Sequence, residues 1–95
     1  MQVTLPDERT RALIWAGGFL IQIAKDETLP LQVRQQAVTI ARHFPTIEDV
    51  GAMSRFRHES GLGVGLSPPS DVDWAASCRL GPLRSSTKLE FPVDS

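Results

Sequence analysis

The sequence predicts a mainly α protein, a small three-helix bundle followed by an irregular segment. Three observations lead to this prediction. Apolar side chains recur at helical spacing through the first 58 residues. Prolines and capping residues divide that region into three segments, and residues 59–95 are rich in Gly, Pro and Ser instead. We therefore assign a helical domain to residues 1–58 and an irregular C-terminal extension to residues 59–95.

The first helix is predicted over about residues 5–25. Thr4 can cap its free amide groups, with Asp7 at the capping-box position and Pro6 in the first turn. A core-facing stripe at helical spacing is predicted at Leu13, Ala16, Leu20 and Ile23, with Ala12 and Phe19 on its flank.

The apolar arc of this first helix is wider than one partner surface requires. Ile14 and Ile21 lie on a second side of the helix, and Trp15 faces a third side. These three side chains form the predicted contact surface, because large apolar residues away from the main stripe either pack under another segment or meet a second protein. Both alternatives, packing under the extension and self-association, remain open from the sequence.

Gly17 and Gly18 interrupt the middle of the same helix. Each glycine costs about 1 kcal/mol of helix propensity relative to alanine. The pair indicates either a kink or close helix crossing, or a hinge or contact site at which the backbone is accessible.

The second helix is predicted over about residues 29–44 and the third over about residues 46–57. Thr28 and Thr46 are the predicted caps, and Pro45 separates the two helices. The second helix is predicted to bury Val33, Ala37, Ile40, Ala41 and Phe44. The third helix has Asp49 at the capping-box position, and its predicted apolar side is Ile47, Val50, Met53 and Phe56.

The extension carries too many large apolar residues for a wholly loose tail. Trp74 lies in a stretch that can form a short helix ending before Gly81. Residues 88–93 alternate in a way that can add an extended strand. We expect parts of the extension to dock on the helices.

Composition excludes several classes of function. The formal net charge of -1 argues against strong non-specific attraction to nucleic acid. No basic and apolar leader is present at the amino terminus, and no apolar run is long enough to predict a membrane span. The single cysteine is typical of a reducing compartment. The sequence therefore predicts a cytoplasmic protein without a membrane partner.

A basic patch is predicted around the second and third helices. Those two helices resemble a helix-turn-helix in outline, but Glu48 and Asp49 stand where base-reading residues would lie. The patch comprises Arg42, His43, Arg55, Arg57 and His58. Its leading interpretation is a solvated face, and the alternatives are a contact with nucleic acid or with an acidic protein partner.

No catalytic, metal or cofactor site is predicted. His43, His58, Glu59 and Cys78 lack the spacing of a zinc site. The glycines of residues 61–65 do not match a phosphate-binding loop. Cys78 is expected to be a small buried thiol packed with the extension. We predict that the chain is not an enzyme, and the sequence indicates no small-molecule ligand.

Three short motifs in the first half of the chain carry a family resemblance. They are P-x-E-R-T-R-A from Pro6, L-P-x-x-V-R from Leu29 and R-H-[YF]-P from Arg42. Residues 3–50 thereby resemble a family of short proteobacterial proteins. The resemblance implies bacterial origin and a helical fold, and it implies no activity and no functional residue.

The leading hypothesis is a non-enzymatic helical protein-binding module that acts on another protein or forms a homodimer. One version of it is an inhibitor of a host defence system carried by a phage or plasmid. The alternative is a DNA-binding regulator that uses the second and third helices.

Overall fold

The computed structural model describes residues 6–56, Leu66 and residues 77–93, with the backbone alone at residues 6 and 7. Over these ranges it contains the helices α1 (Pro6–Lys25), α2 (Leu31–Ala41) and α3 (Ile47–Ser54). The mainly α fold class is therefore confirmed. The predicted cap Thr4 and the predicted short helix with Trp74 lie outside the described residues.

Helices α1 and α2 pack antiparallel through small and branched side chains. Ala24 of α1 packs with Ala37 and Val38 of α2. Ile21, one turn earlier in α1, packs with Ala41, one turn later in α2. The short connection between the helices is stabilised by the carboxylate of Asp26, which accepts the backbone N–H of Thr28 at 3.0 Å and its hydroxyl at 2.6 Å.

That turn explains why the predicted start of the second helix is wrong. The hydroxyl of Thr28 donates a hydrogen bond to the Asp26 carboxylate, and Thr28 does not cap α2. The residue at the N-cap is Pro30, and it makes no side-chain cap bond. At the other end, α2 stops at Ala41 rather than at residue 44, and His43 N–H bonds to the carbonyl of Ile40 in a tighter turn before Pro45.

The start of α3 agrees with its prediction. Thr46 accepts the N–H of Asp49 at 3.1 Å, and the Asp49 carboxylate accepts the N–H of Thr46 at 2.9 Å. This reciprocal pair is the predicted capping box. The helix ends at Ser54, before the predicted end at residue 57.

The buried stripe of α1 differs from the predicted one. Ala16 is exposed, and Leu13, Leu20 and Ile23 are half-buried. The buried positions are instead Thr10, Ile14, Gly17, Gly18, Ile21 and Ala24. The stripe is displaced because the C-terminal extension covers the side of α1 that carries the glycines.

The predicted stripe of α2 is also displaced. Val38, which the periodic pattern leaves out, is fully buried. Val33 and Ile40 are 40% and 50% exposed, although the pattern assigns them to the core. Because α1 and the extension approach α2 from the side of Ala37 and Val38, the opposite flank stays in solvent.

The extension docks between the helices through residues 77–93. Leu83 is 5% exposed and packs with Ile21 and Ala41. Its carbonyl oxygen accepts the N–H of Ile47 at 2.8 Å, which ties the extension to the start of α3. The predicted strand over residues 88–93 is wrong, since these residues form no ladder with another described segment. They lie along α2 instead, where the Gln35 amide donates to the Pro92 carbonyl at 2.9 Å.

The two glycines of α1 allow this close approach. A Cβ at Gly17 would lie 2.9 Å from Cβ of Leu83, and a Cβ at Gly18 would lie 2.7 Å from Sγ of Cys78. Both distances are shorter than side chains tolerate. The Gly17–Gly18 pair therefore serves as a close crossing, and the element that crosses is the irregular extension rather than another helix.

Candidate interaction surfaces

The solvent-facing side of α1 exposes two aromatic side chains. Trp15 is 43% exposed and Phe19 is 59% exposed. They lie four residues apart, so they are neighbours on one helical face. We call the surface formed by Trp15, Ala16, Phe19 and Leu80 the Trp15 face. Leu80, at 47% exposure, is contributed by the extension.

The guanidinium of Arg11 lies over the Trp15 ring. Its central carbon lies 5.1 Å from the ring centroid, which is a cation–π distance. This contact comes from the preceding turn of the same helix and leaves a large part of the ring in solvent.

Two neighbouring grooves border the Trp15 face. The smaller one, of about 370 Å³, lies between Trp15, Phe19 and Cys78. The larger one, of about 740 Å³, has an apolar lining and a charged rim of both signs. Its apolar lining is Phe19, Ile23, Leu29 and Leu80, and its rim is Lys25, Asp26, Glu27 and Arg79. Phe19 lines both grooves, so they form one continuous surface.

The three residues of the predicted contact surface are separated by the fold. Ile14 and Ile21 are 4% and 2% exposed within this single chain. Ile14 also offers its carbonyl oxygen to the Cys78 thiol, at 3.9 Å. The two isoleucines thus pack under the extension, and Trp15 is the member of the set that solvent reaches.

Sequence reasoning placed Phe19 on the flank of a buried stripe and did not assign Leu80 to any surface. The four-residue spacing between Trp15 and Phe19 could have grouped them on one face. Leu80 carried no such signal, because its position depends on how an irregular segment folds back over sixty residues of chain.

Three of the five residues of the predicted basic patch belong to the part of the chain that the structure describes. Arg42, His43 and Arg55 are exposed, while Arg57 and His58 lie outside the described residues. The Arg42 guanidinium lies 5.7 Å from the centroid of the Phe91 ring. Arg55 does not line the groove that Arg42 and His43 border.

That groove gains two cations from the extension. Arg84 and Lys88 line it together with Arg42 and His43, and its volume is about 780 Å³. We call it the basic groove. The sequence did not indicate this grouping, because the residues lie some forty positions apart and no local pattern joins them.

The two acidic residues of the first turn of α3 are held by backbone and hydroxyl groups. Glu48 accepts the N–H of Ser85 at 2.9 Å and its hydroxyl at 3.3 Å. Asp49 belongs to the capping box described above. Both carboxylates also lie at the positive end of the helix dipole.

Cys78 is buried, at 8% exposure, as the sequence analysis expected. Burial raises the pKa of its thiol, because the thiolate would lose its hydration. The thiol is therefore held in its neutral form, which is a poor nucleophile.

Within residues 6–56 and 77–93, no three His, Cys, Asp or Glu side chains gather as a metal ion would require. His58 and Glu59, two of the residues weighed as ligands, lie outside these ranges. None of the described helices combines the length and the hydropathy of a membrane-crossing segment.

Comparison with known proteins adds no relative. The chain matches no protein family, no curated protein and no solved structure. The resemblance carried by residues 3–50 therefore stays a prediction.

Proposed function

We propose that this chain is a non-enzymatic protein-binding module and that the Trp15 face is its contact surface. The observation that carries the proposal is the pairing of Trp15 and Phe19 on the side of α1 turned away from the core. Contiguous exposed apolar patches on soluble proteins often mark interaction sites, and tryptophan is enriched among residues that dominate binding energy.

The surroundings of the face support the same proposal. The groove beside Phe19 has apolar walls and a rim of Lys25, Asp26, Glu27 and Arg79. An apolar centre with a polar rim is the usual anatomy of a protein–protein interface. Because the rim carries both signs of charge, it favours a partner with a similarly mixed surface, and a second copy of this chain meets that requirement.

Self-association provides the first test. Sedimentation equilibrium over a wide concentration range is expected to give an average mass that rises above 10.4 kDa. The double variant Trp15→Ser and Phe19→Ser is expected to stay at the monomer mass. The matched control is Val33→Ser with Ile40→Ser, which removes apolar surface of α2 outside the Trp15 face and is expected to leave the association unchanged.

A partner of different sequence provides the second test. Affinity capture from the native host, followed by mass spectrometry, is expected to recover a protein that the wild type and the α2 control retain. The Trp15 and Phe19 variant should not capture this partner. With the purified partner, the wild type and the α2 control should bind more tightly than the Trp15 and Phe19 variant. A strictly monomeric wild type whose captured partners are equally retained by the Trp15 and Phe19 variant would contradict the proposal.

The genomic setting bears on the biological role. If the gene lies on a phage or plasmid beside defence genes, the partner to test first is a component of that defence system. A chromosomal gene without such neighbours would count against the inhibitor version while leaving the binding surface as proposed.

DNA binding through α2 and α3 is the alternative proposal. The exposure of Arg42, His43 and Arg55 favours it. The carboxylates of Glu48 and Asp49 at the start of α3 count against it, because they would repel phosphates there. A gel-shift assay with duplex DNA at low salt tests it. Binding that the paired variants Arg55→Glu and Arg57→Glu abolish without unfolding would support it, and no shift of wild-type protein would end it.

A further inference from the structure

We propose that the basic groove binds an acidic segment of a partner protein, one in which carboxylate and apolar side chains alternate. This site is separate from the Trp15 face and does not depend on the function proposed for that face. It is built by the turn between α2 and α3 and by residues 84–89 of the extension.

The charge of the groove is opposite in sign to that of the whole chain. Three cationic side chains, Arg42, Arg84 and Lys88, line it, and Asp49 is the acidic residue in its lining. The formal net charge of the chain is -1. The excess of positive charge is therefore local, and it creates a potential that attracts carboxylates.

The acidic groups beside the groove do not cancel this charge by pairing with it. Asp49 directs one oxygen at the N–H of Thr46, and Glu48 directs its oxygens at Ser85. These hydrogen bonds come from neutral N–H groups and leave the negative charge on each carboxylate. The lining of the groove keeps an excess of positive charge, because three cationic side chains face one carboxylate, that of Asp49.

The floor of the groove is apolar. Phe44, Leu83 and Leu89 line it from three different parts of the chain. A simple inorganic anion would leave this floor uncovered, whereas a segment that alternates carboxylate and apolar side chains would satisfy both the rim and the floor. The volume of about 780 Å³ accommodates several side chains.

The apolar floor favours a peptide over duplex DNA. The outer surface of a duplex is formed by phosphates and sugars, and it has no apolar side chain that could cover Phe44, Leu83 and Leu89. A peptide can place apolar side chains against these three residues and carboxylates against the cations of the groove.

The test uses a short fluorescein-labelled peptide that alternates Glu and Leu, with a control peptide that carries Gln in place of Glu. Fluorescence anisotropy at low salt is expected to show binding of the Glu peptide and roughly tenfold weaker binding of the Gln peptide. In ¹⁵N–¹H correlation spectra, the amide signals expected to shift are those of residues 42–44 and 84–89.

Two matched double variants locate the site. Arg84→Glu with Lys88→Glu reverses two charges of the groove, and Arg9→Glu with Lys25→Glu reverses two exposed charges of α1. The groove variant is expected to lose roughly tenfold or more in affinity for the Glu peptide, and the α1 variant less than about threefold. Far-ultraviolet circular dichroism checks that both variants keep their helices. Should the groove variant lose them, Arg84→Gln and Lys88→Gln singly are expected each to weaken binding about threefold.

Several outcomes would overturn the proposal. They are the absence of binding by the wild type, equal affinity for the Glu and Gln peptides, and equal losses in the two double variants. Tighter binding of a short DNA duplex than of the Glu peptide would also overturn it, in favour of a nucleic-acid ligand.

Discussion

On the two sides of α1, the size of a side chain and its burial are related in opposite ways. On one side, Gly17 and Gly18 are buried because Leu83 and Cys78 of the extension press against the helix backbone. On the other side, Trp15 and Phe19, the largest side chains of the helix, face solvent. Burial along this helix is decided by where a second segment approaches, and the hydrophobicity of each residue is a poorer guide.

We expect changes on the two sides of α1 to affect different properties of the protein. The glycine side is filled by the chain itself, so changes there should alter folding. The Trp15 face is left open, so changes there should alter association and leave the fold intact. The variants described below test that division.

The largest effect is expected from Leu83→Ala. Leu83 is buried in a cluster with Ile21 and Ala41, and truncating a buried leucine lowers the free energy of unfolding by about 2 to 5 kcal/mol. Urea denaturation followed by circular dichroism measures the change. The same variant should speed alkylation of Cys78 by iodoacetamide, because the undocked extension exposes the thiol.

Leu80→Ala is the matched control for this variant, since Leu80 lies in the same extension and is 47% exposed. It is expected to cost less than about 1 kcal/mol and to leave the alkylation rate of Cys78 unchanged. Equal effects of the two variants would contradict the docking of the extension through Leu83.

A smaller effect is expected from Gly18→Ala. Alanine adds about 1 kcal/mol of helix propensity, but its Cβ would lie 2.7 Å from the Cys78 sulfur and 3.2 Å from the Gly81 carbonyl oxygen. Overpacking of this kind costs about 1 to 3 kcal/mol. We expect a net loss of about 1 kcal/mol, measured by urea denaturation.

The reverse change at an exposed neighbour, Ala16→Gly, measures the helix propensity alone. In a double-mutant cycle, Cys78→Ala should recover part of the loss in Gly18→Ala, because it removes the nearer contact atom. A gain in stability from Gly18→Ala would show that the crossing is looser than these distances indicate.

The third effect depends on pH and is smaller again. Burial raises the pKa of Cys78 in the folded chain, so the unfolded chain releases the thiol proton at a lower pH than the folded chain does. The contribution of this group to stability is fully present below the unfolded pKa. It is lost as the pH rises from that value toward the folded pKa.

Urea denaturation from pH 8 to pH 10 is expected to show this decline in the wild type. Cys78→Ala should remove that part of the pH dependence. The chain has no tyrosine to obscure the measurement. Identical slopes for the two proteins would contradict the burial of the thiol in solution.

The smallest effect on folding is expected from Phe19→Ser. Phe19 is 59% exposed, so the free energy of unfolding should change by about 0.5 kcal/mol or less. The same variant should weaken association in sedimentation experiments. A large loss of stability with unchanged association would reverse the roles assigned to the two sides of α1.

The parts of the fold that short-range rules govern could be predicted from the sequence. The capping box of Thr46 and Asp49 is an example, because four consecutive residues contain the whole interaction. The helices themselves and the break at Pro45 are others. Their ends moved by a few residues where a local competitor was overlooked, as when Thr28 bonded to Asp26 and left α2 uncapped.

The parts that depend on distant segments could not be predicted. Val38 is fully buried and Ile40 is half exposed, although periodicity ranked them the other way, because the direction from which the extension approaches sets the core side of α2. The candidate sites could not be predicted from the sequence for the same reason. Leu80 joins the Trp15 face, and Arg84 and Lys88 join the basic groove, only through the path of a segment that has no periodic pattern.

The contact between the Cys78 thiol and the Ile14 carbonyl joins positions 64 residues apart. Bringing such distant positions together costs more loop-closure entropy than joining neighbouring helices does, and proteins whose contacts span long stretches of sequence fold more slowly than simple helical bundles. We therefore expect the covering of the glycine side of α1 to slow the folding of this small helical chain below that of a helical bundle of its length.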